Sequence, residues 1–482
     1  MAAAPMSFAF TLLAACISFL HHAPAAAAAA PANQTAGFLD CLAASLPAGV
    51  VYTHASRSYQ SVLESSIKNL LFDTPATPTP VAVVEATDAS HVQAAVRCGV
   101  GHGVSVRSRS GGHDYEGLSY RSLDAARAFA VVDMAGGALR AASAPTVGVG
   151  GFLSGGGFGL MLRKHGLASD HVLDATMVEA KGRLLDRAAM GEDLFWAIRG
   201  GGGGNFGIVL SWKLRLVPVP ATVTVFTVHR SRNQSATDLL AKWQRVAPSL
   251  PSDAFLRVVV QNQNAQFESL YLGTRAGLVA AMADAFPELN VTASDCIEMT
   301  WVQSVLYFAF LRHGEAAGDA PGQGHRQAGQ VWETTWSWLL KDGAGLLILD
   351  PYGGEMARVA PAATPFPHRQ ALYNIQYYGF WSESGEAAAA KHMGWIRGVY
   401  GEMEPYVSKN PRGAYVNYRD LDLGVNDDGD GGGGVARARY EKATVWGRAY
   451  FKANFERLAA VKAKVDPDNY FKNEQSIPPL PS

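Results

Sequence analysis

One short segment of the sequence carries residue types that could perform chemistry. In "RSRSGGHDYEGLSY", residues 107–120, two adjacent glycines precede His113, and Asp114 and Tyr115 follow it. An imidazole changes protonation near neutral pH and can serve as a base, a ligand or a point of attachment. Glycines let the backbone come close to a bound molecule. Taken in isolation, however, a single histidine between glycines and an aspartate is more often a turn residue than a catalyst.

Two further glycine clusters, residues 145–159 and 199–207, predict a phosphate-bearing cofactor, because exposed backbone N–H groups can bind an anion. Residues 202–207 match the pattern G-x-G-x-x-G, but this stretch follows a helical pattern and precedes a strand. That order is the reverse of a dinucleotide-binding unit, which argues against a nicotinamide cofactor. A tight packing turn explains the stretch equally well. No G-x-S-x-G, H-E-x-x-H or paired C-x-x-C pattern supports a hydrolase or a structural zinc site.

Length and composition indicate a globular protein of two domains. The chain has 482 residues, of which 48% are hydrophobic and 17% charged, with a net charge of −1. This length is ample for a sizeable core. The near-neutral charge gives no support for binding to nucleic acid or to an anionic membrane.

The N-terminus predicts secretion. Within residues 1–30 an apolar stretch too short to span a bilayer precedes a run of alanines, which indicates a signal peptide; a disordered low-complexity tail is the alternative. The mature chain would keep Cys41, Cys98 and Cys296, and an oxidising compartment would let two of them pair. The sequence also contains three N-glycosylation sequons, at Asn33, Asn233 and Asn290.

The elements around these motifs predict an α/β unit followed by an antiparallel sheet. Residues 81–109 read as strand, helix and strand, with Asp88 or Ser90 as the helix N-cap. After Pro218–Pro220 alternating strands begin, which indicates a domain boundary. Near the C-terminus, residues 450–467 predict one amphipathic helix that ends at Pro467.

The segment around His113 closely resembles the flavin-attachment segment of plant berberine bridge enzyme-like oxidases, which belong to the vanillyl-alcohol oxidase flavoprotein superfamily. Residues 145–175, 190–213, 363–378, 417–424 and 465–481 resemble the same family, so the resemblance covers most of the mature chain. It implies an α+β fold with a PCMH-type FAD-binding domain of two α/β subdomains over residues 31–217. A substrate domain, with an antiparallel β-sheet backed by helices, would span 218–414, and residues 415–482 would return to the FAD domain.

The resemblance implies FAD bonded to His113 through the 8α carbon of the flavin. A second link through cysteine is excluded, because Ala144 stands where bicovalent members carry that cysteine. The resemblance also implies a disulfide between Cys41 and Cys98, with Cys296 free. The positions expected to contact the cofactor are Arg109, Ser110, Gly111, Gly112, His113, Gly117, Leu118, Val147, Gly148, Gly150, Gly151 and Gly156.

The reaction implied is hydride transfer from a substrate C–H group to flavin N5, the substrate being an alcohol-type small molecule or an oligosaccharide. We expect Tyr418 to act as the base, with Tyr115 and Gln376 orienting the substrate. A phenol has a pKa near 10 and needs a nearby cation to work near neutral pH. Related sequences carry lysine where this chain has Asn374. Arg419 is an alternative cation, but we expect it to lie on a strand with Tyr418, where its side chain would point to the opposite face.

Val147 corresponds to a family position at which valine leaves space for dioxygen, so we expect an oxidase that forms hydrogen peroxide. A plain core role for this valine is the alternative. We also expect a monomer whose partners are the substrate and dioxygen, with no bound metal.

Three departures from the family sustain an alternative function. The chain is short near residues 140–144, where relatives carry a further strand and helix. Phe152 replaces a histidine of the family. Residues 312–329 do not resemble the lysine-containing segment that the family usually carries in the substrate domain. The alternative is a catalytically silent secreted glycoprotein that does not retain FAD. A carbohydrate-binding module is a third interpretation, which only secretion and surface aromatics support.

Overall fold

The computed structural model describes residues 32–134, 147–309, 329–426 and 433–481. The predicted signal peptide, Ala144 and the shortened segment at 140–144 therefore lie outside the described residues. No helix in the described ranges is long and apolar enough to span a bilayer. The sequon residues Asn33, Asn233 and Asn290 are all exposed.

The first sheet has four strands in the order β1-β2-β4-β3, and β4 pairs in parallel with both β2 and β3. Its strands are β1 (Val51–Thr53), β2 (Ala82–Glu85), β3 (Ser105–Arg109) and β4 (Phe129–Asp133). The helices of this part are α1 (Ala32–Ser45), α2 (Tyr59–Glu64) and α3 (Ala89–His102). Asp88 is the N-cap of α3, because its carboxylate accepts a hydrogen bond from Ser90 N at 2.8 Å.

A disulfide joins Cys41 on α1 to Cys98 on α3, with 5.7 Å between their Cα atoms. Cys296 is a buried free thiol. The pairing that the family resemblance implied is thus confirmed.

A second sheet is antiparallel, in the order β6-β5-β7. Its strands are β5 (Val172–Val178), β6 (Leu184–Leu185) and β7 (Ile208–Leu214). The helices of this part are α4 (Val149–Ser154), α5 (Leu162–His165) and α6 (Arg187–Ile198). The glycine turn at 199–207 connects α6 to β7, as the sequence pattern predicted.

The third sheet has six antiparallel strands in the order β11-β8-β10-β9-β12-β13. Its strands are β8 (Val223–Ser231), β9 (Ala254–Gln261), β10 (Asn264–Tyr271), β11 (Cys296–Met299), β12 (Leu346–Pro351) and β13 (Tyr373–Tyr378). The helices of this region are α7 (Ala236–Val246), α8 (Arg275–Ala285), α9 (Trp301–Phe308), α10 (Gly329–Leu339), α11 (Glu355–Arg358) and α12 (Glu386–Glu402).

Strand β9 shows how the six-stranded sheet separates a core from a cavity. Leu256, Val258 and Val260 are fully buried and belong to the cluster that contains Trp243 of α7 and Trp336 of α10. The side chains of β9 that lie between these three point to the opposite face of the sheet, which borders the cavity, because successive residues of a strand alternate between faces. The α+β class, with an antiparallel sheet backed by helices, is therefore confirmed.

The C-terminal region contains two helices where the sequence analysis predicted one. Helix α13 (Gly433–Phe451) ends and α14 (Asn454–Val465) begins on either side of Lys452, whose φ of +47° interrupts the helical path. The break lets Phe455 and Leu458 of α14 pack in the same core as Trp196 of α6. The prediction of a single helix from residue 450 was wrong, because this packing outweighs the continuous amphipathic pattern.

Candidate active site

A cavity of about 970 Å³ lies where the loops of the first two sheets meet the open face of the six-stranded sheet. Its volume is at the upper end of the roughly 300–1,000 Å³ typical of ligand pockets. Most of the residues that sequence reasoning singled out line it. These are Arg109, Ser110, Gly111, Gly112, His113, Tyr115, Leu118, Val147, Gly148, Gly150, Gly151, Gln376 and Tyr418.

Two predicted contact residues, Gly117 and Gly156, lie behind the cavity wall, and Arg109 reaches the wall with a buried side chain. Gly117 has a φ of +66°, and a Cβ there would lie 2.6 Å from the ring of Phe72. Gly156 has a φ of +109° and packs against Phe366, and neither glycine lines the cavity. The guanidinium of Arg109 is fully buried, and its Nε donates to Asp133 at 2.9 Å. This side chain therefore anchors the loop that follows β3.

The glycine loops fit a long, phosphate-bearing group. A Cβ on Gly148 would lie 2.1 Å from Ser110 Oγ and 2.3 Å from Gly111 N, so the two loops can touch only because this residue is glycine. On the cavity wall, a Cβ on Gly151 would meet nothing within 4 Å. Backbone is thus accessible from the cavity at this point, as binding of a pyrophosphate requires.

His113 is partly buried on the same wall. Burial, together with the positive charge of Lys68, lowers the pKa of its imidazole to about 4. The ring is therefore neutral at physiological pH and keeps a nitrogen lone pair, which attachment to a carbon atom requires.

Tyr115, Gln376 and Tyr418 also line the cavity and lie close to one another. The side-chain amide of Gln376, on β13, donates a hydrogen bond to the hydroxyl of Tyr115. The ring centroids of Tyr115 and Tyr418 are 5.8 Å apart. The structure thus gathers three residues that are far apart in the sequence.

Tyr418 lies in a turn, so the expectation that it lies on a strand was wrong. Its backbone N–H donates to Tyr415 O at 2.8 Å. The Asn417 amide donates to Phe152 O at 3.1 Å and to the Tyr415 hydroxyl at 2.9 Å. These bonds hold the turn against the glycine loop, and none of the described strands pairs with it.

Arg419 consequently does not follow the alternation expected of a strand. Its Nε lies 3.6 Å from a carboxylate oxygen of Asp114, and its Nη1 donates to Gln475 O at 3.2 Å. Arg419 therefore links the loop of His113 to the turn of Tyr418.

The cation that acts on Tyr418 is Arg257 on β9, which the sequence analysis did not identify. Its Nε lies 2.7 Å from Asp350 Oδ1. Burial disfavours the charged guanidinium, but Asp350 and Glu268 raise the pKa of Arg257 overall. The signal in the sequence was a charged residue within the apolar strand "FLRVVVQ".

Tyr418 carries its proton at neutral pH in this structure. Burial raises the pKa of its hydroxyl well above the usual range, and Tyr115 and Asp350 raise it further, whereas Arg257 lowers it. Asn374 faces Asp350 across β12 and β13, and its amide nitrogen has no hydrogen-bond partner within the described part of the chain.

Of three other tyrosines in this region, two lie on the six-stranded sheet and one does not. Tyr373 and Tyr377 lie on β13 and contact Trp243 and Arg412 respectively. Tyr415 is not on a strand. It lines the cavity, accepts a hydrogen bond from Gly157 N at 3.2 Å, and lies 4.9 Å from the ring of Phe158.

Comparison with known proteins identifies the family. The family model described as "Berberine and berberine like" matches residues 414–478, and one described as "FAD binding domain" matches residues 124–187. The curated protein "Berberine bridge enzyme-like Cyn d 4" of Cynodon dactylon is 47% identical and covers 98% of this chain and 99% of the relative. The alignment runs over 526 positions, more than this chain has, so the relative contains residues with no counterpart here.

Solved structures agree with this assignment. Phl p 4, a grass pollen allergen with glucose dehydrogenase activity, is 42% identical, with a TM-score of 0.85 over 92% of this chain and 100% of the other. Berberine bridge enzyme from Eschscholzia californica is 35% identical, with a TM-score of 0.82 over 92% of this chain and 99% of the other. The chain therefore belongs to the berberine bridge enzyme-like family of FAD-dependent oxidoreductases.

Proposed function

We propose that this protein oxidises a hydroxyl group of a carbohydrate, using FAD linked to His113 and dioxygen as the acceptor. The observation that carries the proposal is that a single cavity joins the glycine loops and His113 to the group of Tyr115, Gln376 and Tyr418. The proposed cofactor site and the proposed substrate site thus share one cavity.

The residues proposed to hold FAD are those of the two touching glycine loops, 110–112 and 148–151. The neutral imidazole of His113 is the point of covalent attachment, and Ala144 leaves no second link. When bound, the flavin supplies an acceptor for hydride.

Proton removal is assigned to the tyrosines. The hydrogen bond from Gln376 fixes the Tyr115 hydroxyl, so this pair can orient a substrate hydroxyl. Tyr418, which faces Tyr115, takes the hydroxyl proton. Arg257 favours the ionised form of Tyr418 that can accept this proton.

Polar side chains on the cavity face of the six-stranded sheet suit a sugar. The amides of Gln261, Gln266 and Gln376 and the guanidinium of Arg257 line the cavity. Each amide offers both donors and an acceptor, a combination that matches hydroxyl groups. The Phl p 4 structures, titled glucose oxidase or glucose dehydrogenase, support the same substrate class.

Val147 supports dioxygen as the acceptor. It lines the cavity beside Gly148. Among the Phl p 4 structures, the wild type is titled a glucose dehydrogenase and an isoleucine-to-valine variant a glucose oxidase. A valine can thus determine the acceptor in a similar protein.

The setting proposed is extracellular, with the protein reaching it through the secretory pathway as a monomer. The Cys41–Cys98 disulfide supports an oxidising compartment. The exposed asparagines of the three sequons are accessible for glycosylation.

The test is recombinant mature protein, starting at residue 31. Flavin absorbance should remain with the polypeptide after acid precipitation, and His113→Ala should release it into the supernatant. Glucose and cello- or malto-oligosaccharides should then yield peroxide, in contrast to aromatic alcohols.

The competing function, a catalytically silent glycoprotein, is favoured by the residues of Cyn d 4 that have no counterpart here. A well-folded protein that contains no flavin would refute the oxidase proposal and support this alternative.

A further inference from the structure

Lys462 is a buried charged residue to which the proposed chemistry assigns no role. It lies on α14, and its side chain is 0% exposed. Removing an ammonium group from water costs free energy, so a fully buried lysine requires a full set of partners. An apolar side chain would fill the same space at lower cost.

The three hydrogen atoms of the Lys462 ammonium group have three acceptors. Nζ donates to Asn205 O at 2.6 Å, to Asp466 Oδ2 at 2.6 Å and to Phe471 O at 2.7 Å. An ammonium group has three donors and no acceptor, so this set satisfies it completely.

The two carbonyl acceptors belong to segments that form the cavity wall. Asn205 directly follows Gly203 and Gly204, which line the cavity. Phe471 begins the segment 471–473, which also lines the cavity. They are separated by more than 250 residues in the sequence, and Lys462 joins them from behind.

Two neighbouring groups complete the arrangement. Asp466 accepts hydrogen bonds from Tyr470 N at 2.8 Å and from Phe471 N at 2.9 Å, so it fixes the start of the second segment. The Asn205 side chain donates to Gly201 O at 2.8 Å and accepts from Ile477 N at 3.0 Å. Lys462 is therefore at the centre of a network that spans the glycine turn and the C-terminal segment.

We propose that Lys462 is a positioning residue that holds the Gly203–Gly204 turn and the 471–473 segment in the geometry needed to retain the cofactor. The cofactor part of this inference rests on the proposed function. The geometric part, in which one ammonium group joins two wall segments, is independent of whether flavin binds.

The variant that tests the proposal is Lys462→Met, which keeps the length of the side chain and removes the donors. Lys462→Arg retains charge and donors. Lys464→Met is the matched control, because Lys464 lies two residues further along the same helix and is exposed, with its Nζ 3.2 Å from Asp193. Leu278→Ala controls for loss of global stability, because Leu278 is a fully buried residue that does not line the cavity.

The first measurement is hydrogen–deuterium exchange of the full mature chain, read at residues 200–207 and 470–477. Lys462→Met should lower protection in both segments at least about tenfold. Lys464→Met should leave protection unchanged, and Lys462→Arg should retain part of the protection that Lys462→Met loses. Leu278→Ala should lower protection in the core around residue 278, without a selective effect on the two segments. Equal loss throughout the chain, or loss in neither segment, would refute the role of Lys462 in joining them.

The second measurement is the flavin content of each purified variant. Lys462→Met should retain less flavin than wild type, and Leu278→Ala should retain the wild-type amount at a temperature at which both variants are folded. If wild type itself contains no flavin, the proposed function fails, and the exchange experiment still decides the geometric part. If Lys462→Met loses protection but keeps all its flavin, the link to cofactor retention is refuted.

Discussion

Arg257 and Asp350 form an ion pair between neighbouring strands of the six-stranded sheet, with 2.7 Å between Arg257 Nε and Asp350 Oδ1. Asp350 is fully buried, whereas Arg257 is partly exposed to the cavity. Both charges act on Tyr418, in opposite directions, since Asp350 raises the pKa of its hydroxyl and Arg257 lowers it. Burial is the main cause of the raised pKa of Tyr418, and the pair adds two opposing electrostatic effects.

Arg257→Gln should lower both stability and activity. Removing one partner of a buried ion pair costs about 3–5 kcal/mol, because it leaves the other charge unpaired. Urea unfolding should show this loss in the free energy of unfolding. The double variant Arg257→Gln, Asp350→Asn should recover stability without recovering kcat, since it still lacks the cation. Recovery of both would show that Arg257 has no role beyond folding.

Tyr418→Phe should lower kcat by about 10²–10⁴-fold, the range found for loss of a general acid or base. Flavin content should not change, because Tyr418 is not among the residues proposed to hold FAD. Tyr415→Phe is the matched control, since the Tyr415 hydroxyl binds Gly157 N and Asn417 of the wall. If the two variants lose kcat equally, Tyr418 has no special role in proton transfer.

The pH profile provides an independent check on Tyr418. The pKa of its hydroxyl is raised above 10, so the ionised form of the free enzyme increases with pH throughout the neutral and alkaline range. We expect kcat/KM to rise by about tenfold per pH unit between pH 7 and 10, with no such slope in Tyr418→Phe. A flat wild-type profile would exclude ionised Tyr418 as the base.

Asp420→Asn should stabilise the protein at neutral pH. Burial, together with the negative charge of Asp422, raises the pKa of this carboxyl to about 6. The pKa of Asp420 is higher in the folded protein than in the unfolded chain, where it is near 3.8. Between pH 4 and 6 the native state therefore binds a proton that the unfolded state has lost. The free energy of unfolding consequently falls as the pH rises through this window. The shift of about two pKa units corresponds to at most about 3 kcal/mol.

The asparagine keeps the oxygen that accepts a hydrogen bond from Asp422 N at 2.8 Å. Thermal or urea unfolding of Asp420→Asn should therefore show a flatter pH dependence between pH 4 and 6 than wild type. Asp73→Asn, at an exposed position, should leave the wild-type dependence intact. A variant less stable than wild type at pH 7 would contradict the expected sign.

Val147→Leu should change the electron acceptor. The larger side chain projects into the cavity beside the glycine loop and would reduce the space for dioxygen. Peroxide release should fall, whereas reduction of an artificial dye by the same sugar should persist. Val149→Leu, which enlarges another residue of the cavity wall, should retain peroxide release. Loss of both activities in Val147→Leu would indicate damage to the site rather than a change of acceptor.

The predictions from sequence were most accurate where a motif is local. The strand and glycine turn before His113 depend on neighbouring residues, and so does the Asp88 cap of α3. The disulfide between Cys41 and Cys98 followed from the family resemblance rather than from spacing. Arg257 was missed because a single charged residue in a strand does not reveal what faces it across the sheet.

The sequence by itself determined the family, the glycine loops and the identity of the residues that can react, since these are encoded in short contiguous motifs. Only the tertiary structure decided that Tyr418 lies in a turn and that Arg257 is its cation. It also decided that Lys462 joins two walls of the cavity. The physical reason is that burial and electrostatic interactions depend on distances between residues hundreds of positions apart, which no local pattern contains.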